Sequence, residues 1–260
     1  MGTPVLACAH IEYAEQGQHS FAGVTFSLEA GERLVVLADP HHHGEILLRI
    51  CATLILPTGG EISWCGRGNE EIQDHERYEL RRRIGFVDRR SSLISNMTLL
   101  DNVTLGLQYH DNLSRETAYG RADAWLGRFG LAEQRFVRPA ALSPGERRLA
   151  VYAREFVKRP EMLVLESPFF DVDEECQDLL TDTVEETRRG WGCALVVANV
   201  DPGRARSWGD RVLILQGGRS HTLEVGEFDP VLYAASARKR DDCILHDHEK
   251  SSSPRERSTA

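Results

Sequence analysis

Short, unbroken apolar runs set the limits on what this chain can fold into. They are LVVLA (Leu34–Ala38), IGFVD (Ile84–Asp88), MLVLE (Met162–Glu166), ALVVAN (Ala194–Asn199) and RVLILQ (Arg211–Gln216). Each is of strand length and apolar on successive residues. Strands of a parallel sheet covered on both faces read this way. Helix-length segments lie between them. Gly44–Leu56 is apolar and is stopped by Pro57-Thr58-Gly59-Gly60, and Asp74–Arg83 is charged. From Thr98 onward, apolar residues fall at Leu99, Leu100, Val103 and Leu107. Ser114 caps a helix running to Phe129, Leu142–Lys158 holds a polar loop and then a helix, and Asp173–Arg189 is a long charged helix.

Strands alternating with helices predict an α/β fold with a mainly parallel sheet. Ahead of it, Leu6, Cys8, His10 and Val24–Leu28 alternate with period two between turn residues, which predicts an N-terminal antiparallel β part. Glu61–Trp64 reads as a further short strand, and Ser220–Val225 returns on Arg211–Gln216 as a hairpin across Gly217-Gly218.

Composition excludes several classes. A chain of 260 residues, 41% hydrophobic and 27% charged, is long enough for its own core and is neither disordered throughout nor a disulfide scaffold. Its 31 basic and 40 acidic residues give a net charge of −9, which argues against a nucleic-acid partner. The six cysteines are scattered with no C-x-x-C pair, so no zinc or redox motif is expected. Without a membrane-length apolar run or a secretory leader, the expected location is cytoplasmic, with membrane contact through partners. Residues 236–260, rich in charge and serine, are expected to be a disordered tail, and His246 and His248 do not close a metal site.

In an α/β sheet, chemistry sits where strands end and helices begin. The loop after LVVLA is ADPHHHGEIL, and the stretch from Leu142 is LSPGERRLAVYAREFVKRPEMLVLESPFFDVD. The latter resembles the signature and Walker B region of ABC transporter ATP-binding subunits, whose pattern is L-S-G-G-Q, a helix, then an apolar strand ending D-E-P. The resemblance spans about residues 5 to 226. FSLEAGERLVVLA is similar to the strand before that family's phosphate loop, and LLRICATLILPTGGEISWCG to the helix and strand after it. IGFVDRRSSLISNMTLLDNVTLGL is similar to its Q-loop region, and ALVVANVDPGRARSWGDRVLILQGGR to its H-loop region. The resemblance implies a P-loop NTPase-like nucleotide-binding domain over 1–235, with a helical subdomain at about 89–158. It also implies membrane transport subunits as partners, with dimer formation. MTLLDNVTLGLQYHDNLS is similar to ATPases of lipid importers of the mammalian-cell-entry type.

The departures from the family pattern are specific. A phosphate loop needs G-x-x-x-x-G-K-[ST], for close backbone approach, positive charge and magnesium ligation. Here Ala38 stands at its first glycine, followed by Asp39 and by His41, His42 and His43. Gly44 stands at the lysine, Glu45 at the magnesium-binding Ser or Thr, and Ile46 at the next Thr. Arg89 stands at the Q-loop glutamine, Glu166 at the Walker B aspartate, Ser167 at the catalytic glutamate and Asn199 at the switch histidine. Tyr13 keeps the aromatic type for stacking on adenine. Ser143, Pro144, Gly145 and Glu146 form the signature, and Asp173 the D-loop aspartate.

Ser167 cannot polarise an attacking water as a glutamate does, and Asn199 does not titrate. A carboxylate at a helix N-terminus is favourable by about 0.3–1 kcal/mol, so Glu45 is expected to take the dipole that phosphate would use. No intact catalytic set is expected, and ATP is expected to bind weakly or to be shared with a partner subunit. The main expectation is a catalytically degenerate subunit that couples to membrane subunits or pairs with an intact ATPase. The alternatives are a slow or heterodimer-dependent ATPase and a nucleotide-free scaffold. His41–His43 with Asp39 could suggest a metal, but consecutive loop side chains rarely converge, and no metal is expected.

Overall fold

The computed structural model of the chain describes residues 2–15, 18–38, 44–90, 92–110, 113–216 and 219–234. The chain begins with β1 (Leu6–Glu15), β2 (Gln18–Leu28), β3 (Arg33–Ala38), α1 (Gly44–Cys51), β4 (Gly59–Trp64), β5 (Arg67–Gly68), α2 (Asp74–Arg83) and β6 (Ile84–Val87). It continues with α3 (Leu99–His110), α4 (Arg115–Arg128), α5 (Pro144–Phe156), β7 (Met162–Glu166), α6 (Glu174–Trp191) and β8 (Ala194–Ala198). The last elements are α7 (Ala205–Trp208), β9 (Arg211–Gln216) and β10 (Arg219–Glu224).

Six strands form the main sheet in the order β10-β9-β3-β8-β7-β6. All pairs are parallel except β9 with β10, the hairpin expected from the sequence. The apolar runs are continuous because both faces of this sheet are covered. Val35, Leu37, Leu163, Leu165, Leu195 and Val197 point into a core shared with α3–α6. Their neighbours Leu34, Val36, Val164, Val196, Leu213 and Leu215 point into a second core, shared with α1 and the smaller sheet. That smaller sheet is antiparallel, in the order β2-β1-β4-β5, and is the N-terminal β part that period-two alternation indicated. Trp64 fastens it to α1, donating from Nε1 to the Cys51 carbonyl at 2.9 Å.

The first helix is shorter than its apolar sequence suggests. It ends at Cys51 rather than Leu56 because Thr53 adopts φ 62° and Leu54 N–H turns back onto the Arg49 carbonyl at 2.9 Å. Arg81 of α2 then holds the turn, donating from Nη2 to Thr53 O at 2.8 Å and from Nε to Thr53 Oγ1 at 3.2 Å. A capping cation from a distant helix leaves no local sequence signal.

Helices α3, α4 and α5 form a layer over one end of the main sheet. Ser114 caps α4 as expected, its Oγ accepting from Thr117 N–H at 3.2 Å. Trp125 stacks on Phe156 at 5.1 Å between ring centres, which joins α4 to α5. Among the described residues no helix is long and apolar enough to cross a membrane. The expected tail, 236–260, lies outside the described residues.

Candidate functional site

Because β3, β6, β7 and β8 run parallel, their C-terminal ends lie side by side, and an open cavity of about 750 Å³ sits there. The start of α1 contributes Gly44, Glu45 and Arg49, and the segment after β6 contributes Asp88, Arg89 and Arg90. Glu166 ends β7, Asn199 follows β8, and Ala38 and Phe170 complete the wall. The cavity therefore brings together Ala38, Gly44, Glu45, Arg89, Glu166 and Asn199 from the residues singled out in the sequence. Its described walls carry three carboxylates against three guanidinium groups.

Glu166 is half-buried here. Its carboxyl is pushed above the usual range, first by burial and then by the nearby charges of Asp88 and Glu45. A backbone hydrogen bond from Arg89 N–H to Oε2, at 3.4 Å, and the Arg49 charge oppose that rise without cancelling it. The Arg89 guanidinium turns aside and lies over the Phe170 ring, 4.4 Å from its centre. At this position the backbone, rather than the side chain, meets Glu166.

Gly44 leaves little room for a side chain. A Cβ built on it would lie 3.1 Å from the Ala38 Cβ, so β3 and α1 approach closely here. Ser167 and Asn199 both have left-handed backbones, with φ 49° and 58°. They follow paired residues of adjacent strands, Glu166 and Ala198, and Ser167 N–H donates to the Ala198 carbonyl at 3.0 Å. Asn tolerates this conformation; for Ser it costs about 1–2 kcal/mol.

Other singled-out residues lie elsewhere. Tyr13 packs against Phe21 across β1 and β2, with ring centres 6.4 Å apart, and is not part of the cavity wall. Ile46 packs against the second core. Ser167 is beside the cavity without lining it. Asp39, His41, His42 and His43 lie outside the described residues.

The signature segment folds as a helix start. Ser143 is the N-cap of α5: its Oγ accepts from Glu146 N–H at 3.2 Å, and Glu146 Oε2 accepts from Ser143 N–H at 2.8 Å. Pro144 takes the first helical position, where a missing N–H costs nothing. Gly145 lies against the Asp171 carbonyl, 3.1 Å from where a Cβ would be. The reciprocal cap holds the Glu146 carboxyl below its usual range. Asp173, at the D-loop position, is likewise a cap: its Oδ1 accepts from Cys176 N–H at 2.9 Å and starts α6.

Sequence reading missed Arg49, Asp88, Arg90 and Phe170 as cavity residues, and it missed Arg148 behind them. Arg148 left one trace in the sequence. It stands four residues before Tyr152 and eight before Phe156, on the buried stripe of α5, where a cation needs a reason.

The family model described as ABC transporter matches residues 21–170. The lipoprotein-releasing system ATP-binding protein LolD 1 of Rhodospirillum rubrum is 30% identical over 199 residues, 76% of this chain and 87% of the relative. LolD of Ruegeria pomeroyi is 32% identical over 198 residues, 76% of this chain and 86% of the relative. Among solved structures, the dimeric bacterial ABC transporter cassette MJ0796 superposes with a TM-score of 0.78 at 24% identity, covering 86% of this chain and 100% of that one. CbiO1 of Clostridium perfringens, part of the transporter complex cbiONQ, gives 0.76 at 20% identity, covering 95% and 99%. The structural matches share the fold, the sequence matches carry the kinship, and the chain belongs to the ABC transporter ATP-binding family.

Proposed function

We propose that this chain is an ATP-binding-type subunit that has lost hydrolysis at its own site and works by coupling to the membrane subunits of a transporter. One observation carries the reading: the lysine position is a glycine packed on Ala38, in a cavity whose described walls carry as many carboxylates as guanidinium groups. A triphosphate with magnesium would meet Glu45 where a hydroxyl ligand is needed, and Ser167 where a glutamate is needed. On this reading residues 1–235 act as one nucleotide-binding-type unit, with the helices of about 89–158 as its subdomain. The lipoprotein-releasing names of the relatives, and the resemblance of residues 97–114 to lipid importers, both support a lipid-bearing cargo.

The test is phosphate release by the purified chain with millimolar ATP and magnesium. The expected rate is background, unchanged by Glu45→Ala or Glu166→Ala. Magnesium-dependent release that either substitution abolishes would sink the proposal. Melting with and without ATP separates weak binding from a nucleotide-free scaffold, since a ligand bound to the folded state must raise the melting point.

A second reading, pairing with an intact ATP-binding subunit, is favoured by the retained Ser143 and Gly145. In a mixture with such a partner, Ser143→Arg should lower the partner's ATPase rate. An unchanged rate would exclude a shared site.

A further inference from the structure

Among the described residues, Arg148 is a buried cation without a carboxylate partner. It is 5% exposed, and its guanidinium bonds only to neutral backbone oxygens. Nη1 donates to the Asp88 carbonyl beyond β6. Nη2 donates to the carbonyls of Glu166, at 3.1 Å, and Ser167, at 3.0 Å, at the end of β7. Nε is buried and has no partner among the described residues. One turn along α5, Tyr152 lies beneath the guanidinium, 5.4 Å from ring centre to Cζ, and its hydroxyl donates to Pro168 O at 2.8 Å. Two side chains of one helix thus hold the carbonyls of three successive residues, 166 to 168. Buried charges are expensive unless compensated, and here three backbone carbonyls supply the compensation.

The geometry points to Arg148 as a positioning residue for the cavity. With Tyr152 it clamps the 166–168 backbone, holds Ser167 in its left-handed conformation, and so sets the direction in which Glu166 leaves β7. The same guanidinium fixes the Asp88 backbone, next to the Arg89 N–H that meets Glu166. Three observations argue for more than packing. The three bonds share one planar group, their acceptors lie at the ends of two strands, and Ser167 in the turn they hold is left-handed. Because α5 begins with the self-capped Ser143–Glu146 turn, the clamp joins that turn to the cavity wall within one chain. The inference stands whether or not the cavity's ligand is a nucleotide.

A double-mutant cycle, read by urea unfolding of the full chain, tests this. With the clamp intact, Ser167→Gly relieves the backbone and should leave the unfolding constant level or lower it. In Arg148→Met the turn is free to relax, so the glycine retains only its entropic cost and should raise the constant. The expected interaction is about fivefold in the unfolding equilibrium constant. Effects that multiply to within about twofold would overturn the proposal. Arg148→Lys should behave as Met does, because an ammonium cannot present the planar fork. Full coupling in the lysine variant would mean that charge alone suffices, and would overturn the clamp. If Arg148→Met does not fold, Tyr152→Phe carries the cycle with the same sign. Amide exchange gives an independent readout: in Arg148→Lys, the Ser167 and Phe170 amides should exchange at least about tenfold faster while those of β1 stay unchanged. Equal acceleration across the molecule would show a role in stability alone.

Discussion

Glu166 and Glu146 are the same residue type in opposite settings. Glu166 ends a strand in a cavity, among Asp88 and Glu45, and its carboxyl is pushed up. Glu146 sits in the first turn of α5, takes the Ser143 N–H, and is pulled down. One half of a nucleotide-binding frame has kept its charges in tension, and the other has turned its polar groups onto itself. On the proposed reading, the departure from the family pattern takes two physical forms. At the strand ends the described wall carries Gly44, Glu45 and Glu166 where the proposed reading needs partners for phosphate and magnesium. At the helix start Ser143 Oγ and the Glu146 N–H are already bonded to each other.

The largest expected effect comes from rebuilding the cavity. Gly44→Lys alone should destabilise the chain by about 1–3 kcal/mol, because the new Cβ presses on Ala38. With Ala38→Gly and Glu45→Ser added, affinity for magnesium ATP should rise at least about tenfold in a fluorescent-nucleotide titration. A triple variant with unchanged affinity would show that the cavity departs from the family by more than these side chains.

Next comes the turn. Ser143→Ala should cost about 1 kcal/mol in urea unfolding, the usual worth of a lost N-cap. If it costs nothing, the reciprocal cap does not form in solution.

The acid responses differ in sign. Glu146 has a depressed folded value, so its contribution is present above the ordinary carboxylate range and disappears as pH falls through the folded value. Glu146→Ala should therefore destabilise at pH 7 and matter less and less under acid. Glu166 has a raised value, so its ionised form is disfavoured in the folded state at neutral pH, and that penalty fades as acid protonates it. Glu166→Gln should raise the melting point slightly at pH 7, with the gain gone below the ordinary carboxylate range. Parallel pH profiles for the two variants would erase the contrast.

Much of the frame was readable from the residues. LVVLA, MLVLE and ALVVAN announced buried parallel strands, since only a sheet covered on both faces keeps every residue apolar. Ser114 and Asp173 marked helix starts because capping is local chemistry. What escaped depended on distant partners. Arg81 ends α1 early by reaching Thr53, and Arg148 reaches three carbonyls at the ends of two strands. Asp88, Arg49 and Arg90 line the cavity because four strand ends converge there, which no spacing along the chain records. Tyr13 failed to join the cavity because its ring pairs with Phe21 across the smaller sheet.

Three of the four tryptophans offer a practical handle. Trp64 lies between the smaller sheet and α1, Trp125 stacks within the helical layer, and Trp208 meets the edge of Phe169 at 4.9 Å, a few residues past Glu166. Three parts of the molecule thus carry separate intrinsic fluorophores. Emission from variants retaining one indole each would follow each part's loosening on its own, without an added label.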